Sequence, residues 1–379
     1  MYKLLEYIRS EFYALFRDGG ALLLLVVALP LYTIIYSTAY GGEVVHDVPI
    51  AVVDEDRTPS SRALIGGLMS GPNTLLCYEP SNMAEARELF YSNKAFGIVY
   101  IPNDFERHLL SGSQANIGVI LDGSHLLLYR QVLEQVATDA LTQGARLELM
   151  RLTEQGAAPQ VAAAVVEPMQ FDVHHLYNRA LGYGSFVMPS VMIVIVQQTL
   201  VIGLSMMAAR RRQRGLRIEP ITPLSILSKM LVYIFIYGAN LTILLTLLWP
   251  AFGFVFNAKI GDVALFLLLY VVASLSFAIA LSQLFKRREA PLLLLLWSSV
   301  PILLLAGVSY PREAYAEWIY LVGRIFPSSS GVDGFIALAS RGATLSEVAT
   351  ELATLAILTV IYLALALIIN KSLLARQNI

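Results

Sequence analysis

GGALLLLVVALPLYTIIYSTAYGG, residues 19–42, decides how this chain is read, because it contains no Asp, Glu, Lys or Arg. An α-helix rises about 1.5 Å per residue, so crossing a hydrocarbon layer of about 30 Å takes about 20 such residues. The stretch therefore predicts a transmembrane helix. Five more charge-free stretches of similar length follow, at 180–209, 230–258, 263–285, 290–311 and 352–370. Pro30, Pro189, Pro250 and Pro301 lie inside these stretches and each would free a backbone carbonyl, which neighbouring helices or water must satisfy. Ser37-Thr38-Ala39 has the small residues of a signal-peptidase site, but the length of the apolar stretch favours a retained anchor.

Composition agrees. The 379 residues are 56% hydrophobic and 15% charged, with a mean hydropathy of +0.63, more apolar than a soluble chain of this size can bury in one core. The net charge of −1 hides a division: residues 40–180 carry 9 Lys or Arg against 17 Asp or Glu, and the remainder carries 18 against 11. One segment is an acidic soluble body and the rest is a membrane region with basic edges. That body has no basic run interleaved with aromatics, which argues against nucleic acid as a partner. Cys77 is the sole cysteine, so an intrachain disulfide or a thiolate metal cluster is impossible.

Basic residues in short connections mark the cytoplasmic side. Arg210, Arg211, Arg212, Arg214 and Arg217 follow the second stretch, Lys286, Arg287 and Arg288 the fourth, and Lys371 and Arg376 the sixth. With Lys3, Arg9 and Arg17 ahead of the first, both termini are expected in the cytoplasm and residues 43–179 outside it. In residues 1–18, Leu4, Ile8, Phe12 and Leu15 recur at helical spacing, with Lys3, Glu6, Arg9 and Ser10 elsewhere around the wheel. This pattern predicts a cytoplasmic helix lying in the membrane interface or, alternatively, an extension of the first span.

Between the first two spans the pattern switches to short β-rich runs, 49–53, 74–78, 96–101 and 116–121, separated by helical ones at 59–69, 82–91 and 104–110. The alternation predicts a small α/β domain, followed by a long helix over about 124–155. The expected fold is an α-helical integral membrane protein with six transmembrane helices and a small α/β extracytoplasmic domain.

Several chemistries are absent. No GxxxxGK[ST] cradle for nucleotide phosphates occurs, nor HExxH, and His46, His108, His125, His174 and His175 all lie outside the spans. No catalytic or metal site is expected. Asp54-Glu55-Asp56 has the look of a metal and sugar-nucleotide site, yet Thr58 can cap a helix with Pro59 first, which makes the triplet a turn near a helix start. Glu347 and Glu351 are expected on one helix face at the outer end of the sixth span.

Two further stretches carry a family pattern. VPIAVVDEDRTPSSRALIGGL at 48–68, continued by AFGIVYIPNDFERHLLSG at 95–112, resembles the extracytoplasmic domain of the larger ABC-2 type transporter permeases. LAGVSYPREAYAEWIYLVGRIFPSSSGVDGFIALASRGATL at 305–345 resembles their hairpin between the last two spans. In that hairpin, Trp318, Leu321, Val322, Ile325 and Phe326 form one apolar face, and Phe326-Pro327-Ser328 and Gly331 are expected to break the helix. The segment 310–345 would dip into the outer leaflet and return; a loop packed on a neighbouring subunit is the alternative. The resemblance makes Tyr310, Pro311, Trp318, Phe326, Pro327 and Gly331 gate residues.

RRRQRGLRIEPITPLSILSKML at 210–231 is similar to the family's coupling segment, placed here at 210–229. The resemblance assigns coupling to Gly215, Glu219, Thr222, Pro223, Leu224 and Lys229. The chain departs from the family where acidic residues and a Gly-Thr pair are common, having an arginine run and Gly215-Leu216 instead.

The resemblance implies a permease subunit of an ATP-binding-cassette exporter in a bacterial inner membrane, paired with a second copy or close paralogue. Cytoplasmic ATPase subunits would drive it, holding ATP and Mg, with no cofactor in this chain. Efflux of a hydrophobic or amphipathic substrate is expected, sometimes with a periplasmic adaptor protein. From a different class comes the alternative of a membrane-anchored receptor or scaffold whose α/β domain binds a ligand without transport.

Overall fold

The computed structural model describes residues 2–42, 44–167, 173–179, 181–215, 220–308, 310 and 312–377, and it divides into two compact units. One unit is residues 44–174; the other joins the chain before it to the chain after it.

Helix α1 (Tyr2–Phe16) ends just before Asp18, whose carboxylate accepts the backbone N–H of Ala21 at 3.3 Å and so starts α2 (Gly19–Ala39). An Asp ahead of an apolar run satisfies one of the donors that a helix start leaves open. α1 is thus separate from the first span.

The small unit follows as β1 (Val48–Asp54), α3 (Pro59–Ser70), β2 (Thr74–Tyr78), α4 (Met83–Tyr91), β3 (Gly97–Ile101), α5 (Phe105–Leu110), β4 (Gly118–Leu121), α6 (Leu126–Glu154) and α7 (Pro159–Val166). The sheet order is β2-β1-β3-β4, with β1 parallel to both neighbours and β4 antiparallel to β3. Side chains alternate across a strand. Val48, Ile50 and Val52 accordingly face one way, packing with Leu64 and Leu68 of α3, Phe105 of α5 and Val132 and Val136 of α6. Val53 and Ile98 face the other way, onto Ala86 of α4. β1 is buried on both faces, as its near-continuous apolar run VPIAVV requires.

The second unit continues with α8 (Tyr183–Gln213), α9 (Pro223–Ala251), α10 (Ile260–Ser282), α11 (Glu289–Leu305), α12 (Glu317–Gly323), α13 (Pro327–Ala339) and α14 (Ala349–Gln377). Five helices among the described residues, α2, α8, α9, α10 and α14, are long and apolar enough to cross a membrane. The stretch expected as a fifth span, 290–311, yields only the 17 residues of α11. Gly307 at φ +77° turns the chain away there, and Arg312 folds back to donate to the carbonyl of Ala306.

α8 is the axis of this unit: 89% of its most apolar window is buried, against 22% for α14. Pro30 and Pro250 each follow a single wide, π-type turn, Leu23–Val27 and Leu244–Leu248. Proline lacks the N–H that would bond the carbonyl four residues back and its ring crowds that carbonyl, so an extra residue in the preceding turn relieves both defects.

Candidate functional site

At the end of the second unit that carries the N-terminus, charged groups from distant parts of the chain converge. Glu11 of α1 is 4% exposed, and its Oε2 lies 2.8 Å from Lys229 Nζ and 3.4 Å from Arg211. Its Oε1 accepts the hydroxyl of Tyr233 at 3.0 Å. Burial alone would raise its pKa, but Lys229 and Arg211, with hydrogen bonds from Lys229 and Tyr233, outweigh burial and hold the carboxyl below its ordinary value.

Asp18 sits beside it, 2.6 Å from Arg210 and 2.5 Å from Arg288. Burial opposes ionisation here too, and the hydrogen bonds from Arg210 and Ala21 with the charge of Arg288 prevail, so this pKa is also lowered. Arg212 donates to the carbonyls of Ser282 and Phe285, both at 2.8 Å, closing the C-terminal end of α10. Together α1, α8, α9, α10 and α14 surround a cleft of about 610 Å³.

Of the residues expected to couple, Lys229 lines this cleft, and its neighbours Ile221 and Ser225 line it too. Gly215 adopts φ +69° just past α8, a conformation that suits glycine. Thr222 caps α9 through a reciprocal box with Ser225, and exposed Pro223 occupies its first position. Leu224 is half-buried, and Lys229 holds Glu11. Ile221 N–H donates to Asn370 Oδ1 at 2.9 Å, tying the start of α9 to α14. Glu219 lies outside the described residues. Charge-free spacing starts the third span at 230, whereas α9 begins at Pro223 and takes in Lys229, whose charge Glu11 meets.

Sequence reasoning missed Glu11 and Asp18. The signals were present: Glu11 falls three residues after Ile8 and four before Leu15, on the apolar face of α1, and Asp18 immediately precedes an apolar run.

In the hairpin, Tyr310 is exposed and stacks on Tyr315 with ring centroids 5.8 Å apart. Trp318 is exposed on α12. Phe326 precedes α13 and meets Phe277 edge-on, and buried Pro327 opens α13. Gly331 does not break the helix as expected but sits within α13, where an added Cβ would meet the Tyr270 ring at 2.5 Å. Its role is close helix approach. Pro311 lies outside the described residues.

Ile325 accepts the hydroxyl of Tyr362, which lies about 20 Å along α14 from Ala349 at about 1.5 Å per residue. The start of α13 is therefore deep among the long helices. Arg312 braces it, pairing with Asp333 and donating to the carbonyls of Ala306 and Ser329. Glu347 precedes α14 rather than sharing a face with Glu351, and its carboxylate accepts the N–H and hydroxyl of Thr344.

In the small unit the acidic triplet is consumed by its own turn. Asp54 accepts Asp56 N–H, Arg57 N–H and the Ser61 hydroxyl, Asp56 accepts Thr58 Oγ1 and Glu106 N–H, and Glu55 accepts the Tyr100 hydroxyl. Thr58 and Ser61 form a capping box with Pro59 in the first turn.

Long apolar helices, a basic cleft at their ends and an α/β insert are the setting for one further observation: the sequence profile of the ABC-2 family transporter proteins matches residues 21–368, which takes in both units. The chain belongs to that family. This ABC-2 family transporter is also similar to the probable multidrug ABC transporter permease YbhR of Escherichia coli strain K12, at 26% identity over 329 residues covering 84% of each chain. The YbhR of Escherichia coli O157:H7 matches to the same extent. As an ABC-2 family member the chain is a multi-pass membrane protein and a transport permease.

Proposed function

We propose that this chain is the permease subunit of an ATP-binding-cassette exporter, forming its translocation pathway as a dimer. Separate cytoplasmic ATPases that hold ATP and Mg drive it, moving a hydrophobic or amphipathic substrate outward across a bacterial inner membrane. The observation that carries this reading is the family match across nearly the whole chain. In it α11, about 26 Å long at about 1.5 Å per residue, makes the sixth crossing with help from its flanking turns, and the arginine-rich end faces the cytoplasm. The small unit is then extracytoplasmic, available to a periplasmic adaptor protein.

The cleft lined by Ile221, Ser225 and Lys229, with Thr222 and Pro223 in the adjoining turn, receives the ATPase, and the deep start of α13 closes the path from outside. A partner moves a permease only by binding one of its conformations more tightly than another. The Glu11–Lys229 pair joins α1 to α9 and the Asp18–Arg210 pair joins the start of α2 to α8, so a push on α9 is carried to the helices around it.

Co-purification with a co-expressed ATPase, followed by reconstitution into vesicles loaded with a lipophilic cationic dye, tests the reading. ATP-dependent dye movement that fails with an ATPase lacking its phosphate-cradle lysine is expected. Dye movement without any ATPase, or a chain that never binds one, overturns it.

A further inference from the structure

Between α1 and the basic end of α8 lies a second hollow, of about 500 Å³, which adjoins the first cleft through Met207 and Arg211. Its walls carry Arg17, Arg210, Arg211 and Arg214 against a single carboxylate, Asp18. That carboxylate is already shared, with Arg210 at 2.6 Å and Arg288 at 2.5 Å. Arg211 reaches away to Glu11 at 3.4 Å. Arg17 lies 4.8 Å over the Tyr13 ring, and neither it nor Arg214 makes an ion pair among the described residues. The hollow is thus lined by four guanidinium groups against one carboxylate, and two of them, Arg17 and Arg214, are without a carboxylate partner among the described residues.

Planar guanidinium forks match the oxygens of a phosphate in bidentate fashion. The surroundings say which phosphate. α1 exposes Tyr2, Leu5, Tyr13 and Phe16 to its outside, at 84%, 59%, 60% and 62%, next to the charges of Lys3, Arg9 and Arg17. Aromatic and aliphatic groups beside cations on an exposed helix belong at the depth of lipid headgroups. The hollow's remaining walls are Tyr13, Ala14 and Met207. A ligand seated here meets guanidinium groups together with the side chains of Tyr13, Ala14 and Met207.

We infer that this hollow binds the phosphodiester headgroup of an anionic membrane phospholipid, with Arg17 and Arg214 clasping the phosphate while Arg210 stays with Asp18. The site fixes α1 to the membrane surface at the point where it meets α8. The inference rests on α8 crossing the membrane and not on transport, so it stands or falls apart from the exporter reading.

The full-length chain, purified in detergent, is incubated with spin-labelled phosphatidylglycerol or spin-labelled phosphatidylcholine, and the motionally restricted fraction is read by electron paramagnetic resonance. Preferential restriction of phosphatidylglycerol is expected. The double variant Arg17→Gln with Arg214→Gln should weaken it about tenfold or more, as expected for the loss of two charge-assisted contacts. Arg87→Gln, exposed on α4 of the small unit, should leave it unchanged. Equal restriction of both lipids by the unaltered chain overturns the proposal, whatever the variants do. Displacement by millimolar inorganic phosphate without loss at the double variant identifies a free-anion site elsewhere and also overturns it. Stoichiometric displacement by an added ATPase shows that a protein surface covers the hollow, and the proposal falls in that case too.

Discussion

Gln197, at the middle of α8, accepts the backbone N–H of Ser328 through its Oε1 at 2.7 Å, so one span caps the helix that starts deepest in the hairpin. Gln197 is fully buried, and a buried N–H left without a partner costs roughly 1–3 kcal/mol. Gln197→Leu should therefore loosen the start of α13, whereas Gln197→Glu keeps an acceptor. Expected is faster maleimide labelling of Ser329→Cys, built on a Cys77→Ser background, in the Leu variant than in the Glu variant. Equal rates would show that the cap does not hold the hairpin shut.

Gly331 makes a second prediction about the same contact. A Cβ there would lie 2.5 and 2.7 Å from ring atoms of Tyr270 and 2.9 Å from Ile193, whereas at Gly238 of α9 nothing lies within 4 Å. Overpacking typically costs about 1–3 kcal/mol, and alanine is otherwise the better helix former by about 1 kcal/mol. Thermal unfolding in detergent should show Gly331→Ala lowered and Gly238→Ala unchanged or raised.

These two contacts also mark where sequence stops being informative. The start of α3 was legible because Thr58-Pro59 states it locally, and the strands because β-branched runs are bounded by turn residues. Gln197 and Ser328 are 131 residues apart, Glu11 and Lys229 are 218 apart, and a lone polar residue does not announce its partner. For the same reason counting uncharged residues misplaced the start of α9, since Lys229 is neutralised by Glu11 and so tolerated within the helix. It also overran α11, whose end is set by Gly307 and the return of Arg312 to Ala306.

Glu11 predicts a pH dependence. The folded protein holds its carboxyl below the ordinary value, so ionised Glu11 stabilises the fold. That contribution is complete above the unfolded value of about 4.3 and is lost as pH falls through the lower folded value. Unfolding midpoints of the native chain should thus drop below about pH 4 more steeply than those of Glu11→Gln. Lys229→Ala, which leaves Arg211 and Tyr233 as partners, should cost about 1–3 kcal/mol at neutral pH. Parallel pH profiles for the native chain and Glu11→Gln would refute the assignment.

Asp56 separates a structural turn from a catalytic acid. Burial would raise its pKa, but hydrogen bonds from Thr58 and from the backbone of Glu106, Phe105 and Asp104 lower it, consistent with a role as a fixed acceptor. Asp56→Asn retains one acceptor oxygen and should cost about 1 kcal/mol of stability in the small unit. Dye export in vesicles should persist at near-native rates. Abolished export by a folded Asp56→Asn protein would mean the acid acts in the reaction cycle.

Thr222 and Pro223 allow coupling to be tested apart from folding. Thr222 supplies the cap of α9, and losing it costs about 1 kcal/mol, so a defect in Thr222→Arg alone has two explanations. Pro223 is exposed at the first helical position, where neither its ring nor its missing N–H is needed by the ladder, so Pro223→Arg changes the surface and leaves the cap intact. Thr222→Ser keeps the capping hydroxyl and Thr222→Ala removes it without adding bulk. If this turn receives the ATPase, Pro223→Arg and Thr222→Arg should both sustain ATP hydrolysis while transport falls at least about tenfold, a coupling loss of about 1.4 kcal/mol. Thr222→Ser should match the native chain, and Thr222→Ala should lose stability with its coupling ratio preserved. Unchanged transport in both arginine variants would remove the turn from the coupling path and leave the ion-paired floor of the cleft, Glu11 with Lys229 and Arg211, as the place where the ATPase acts.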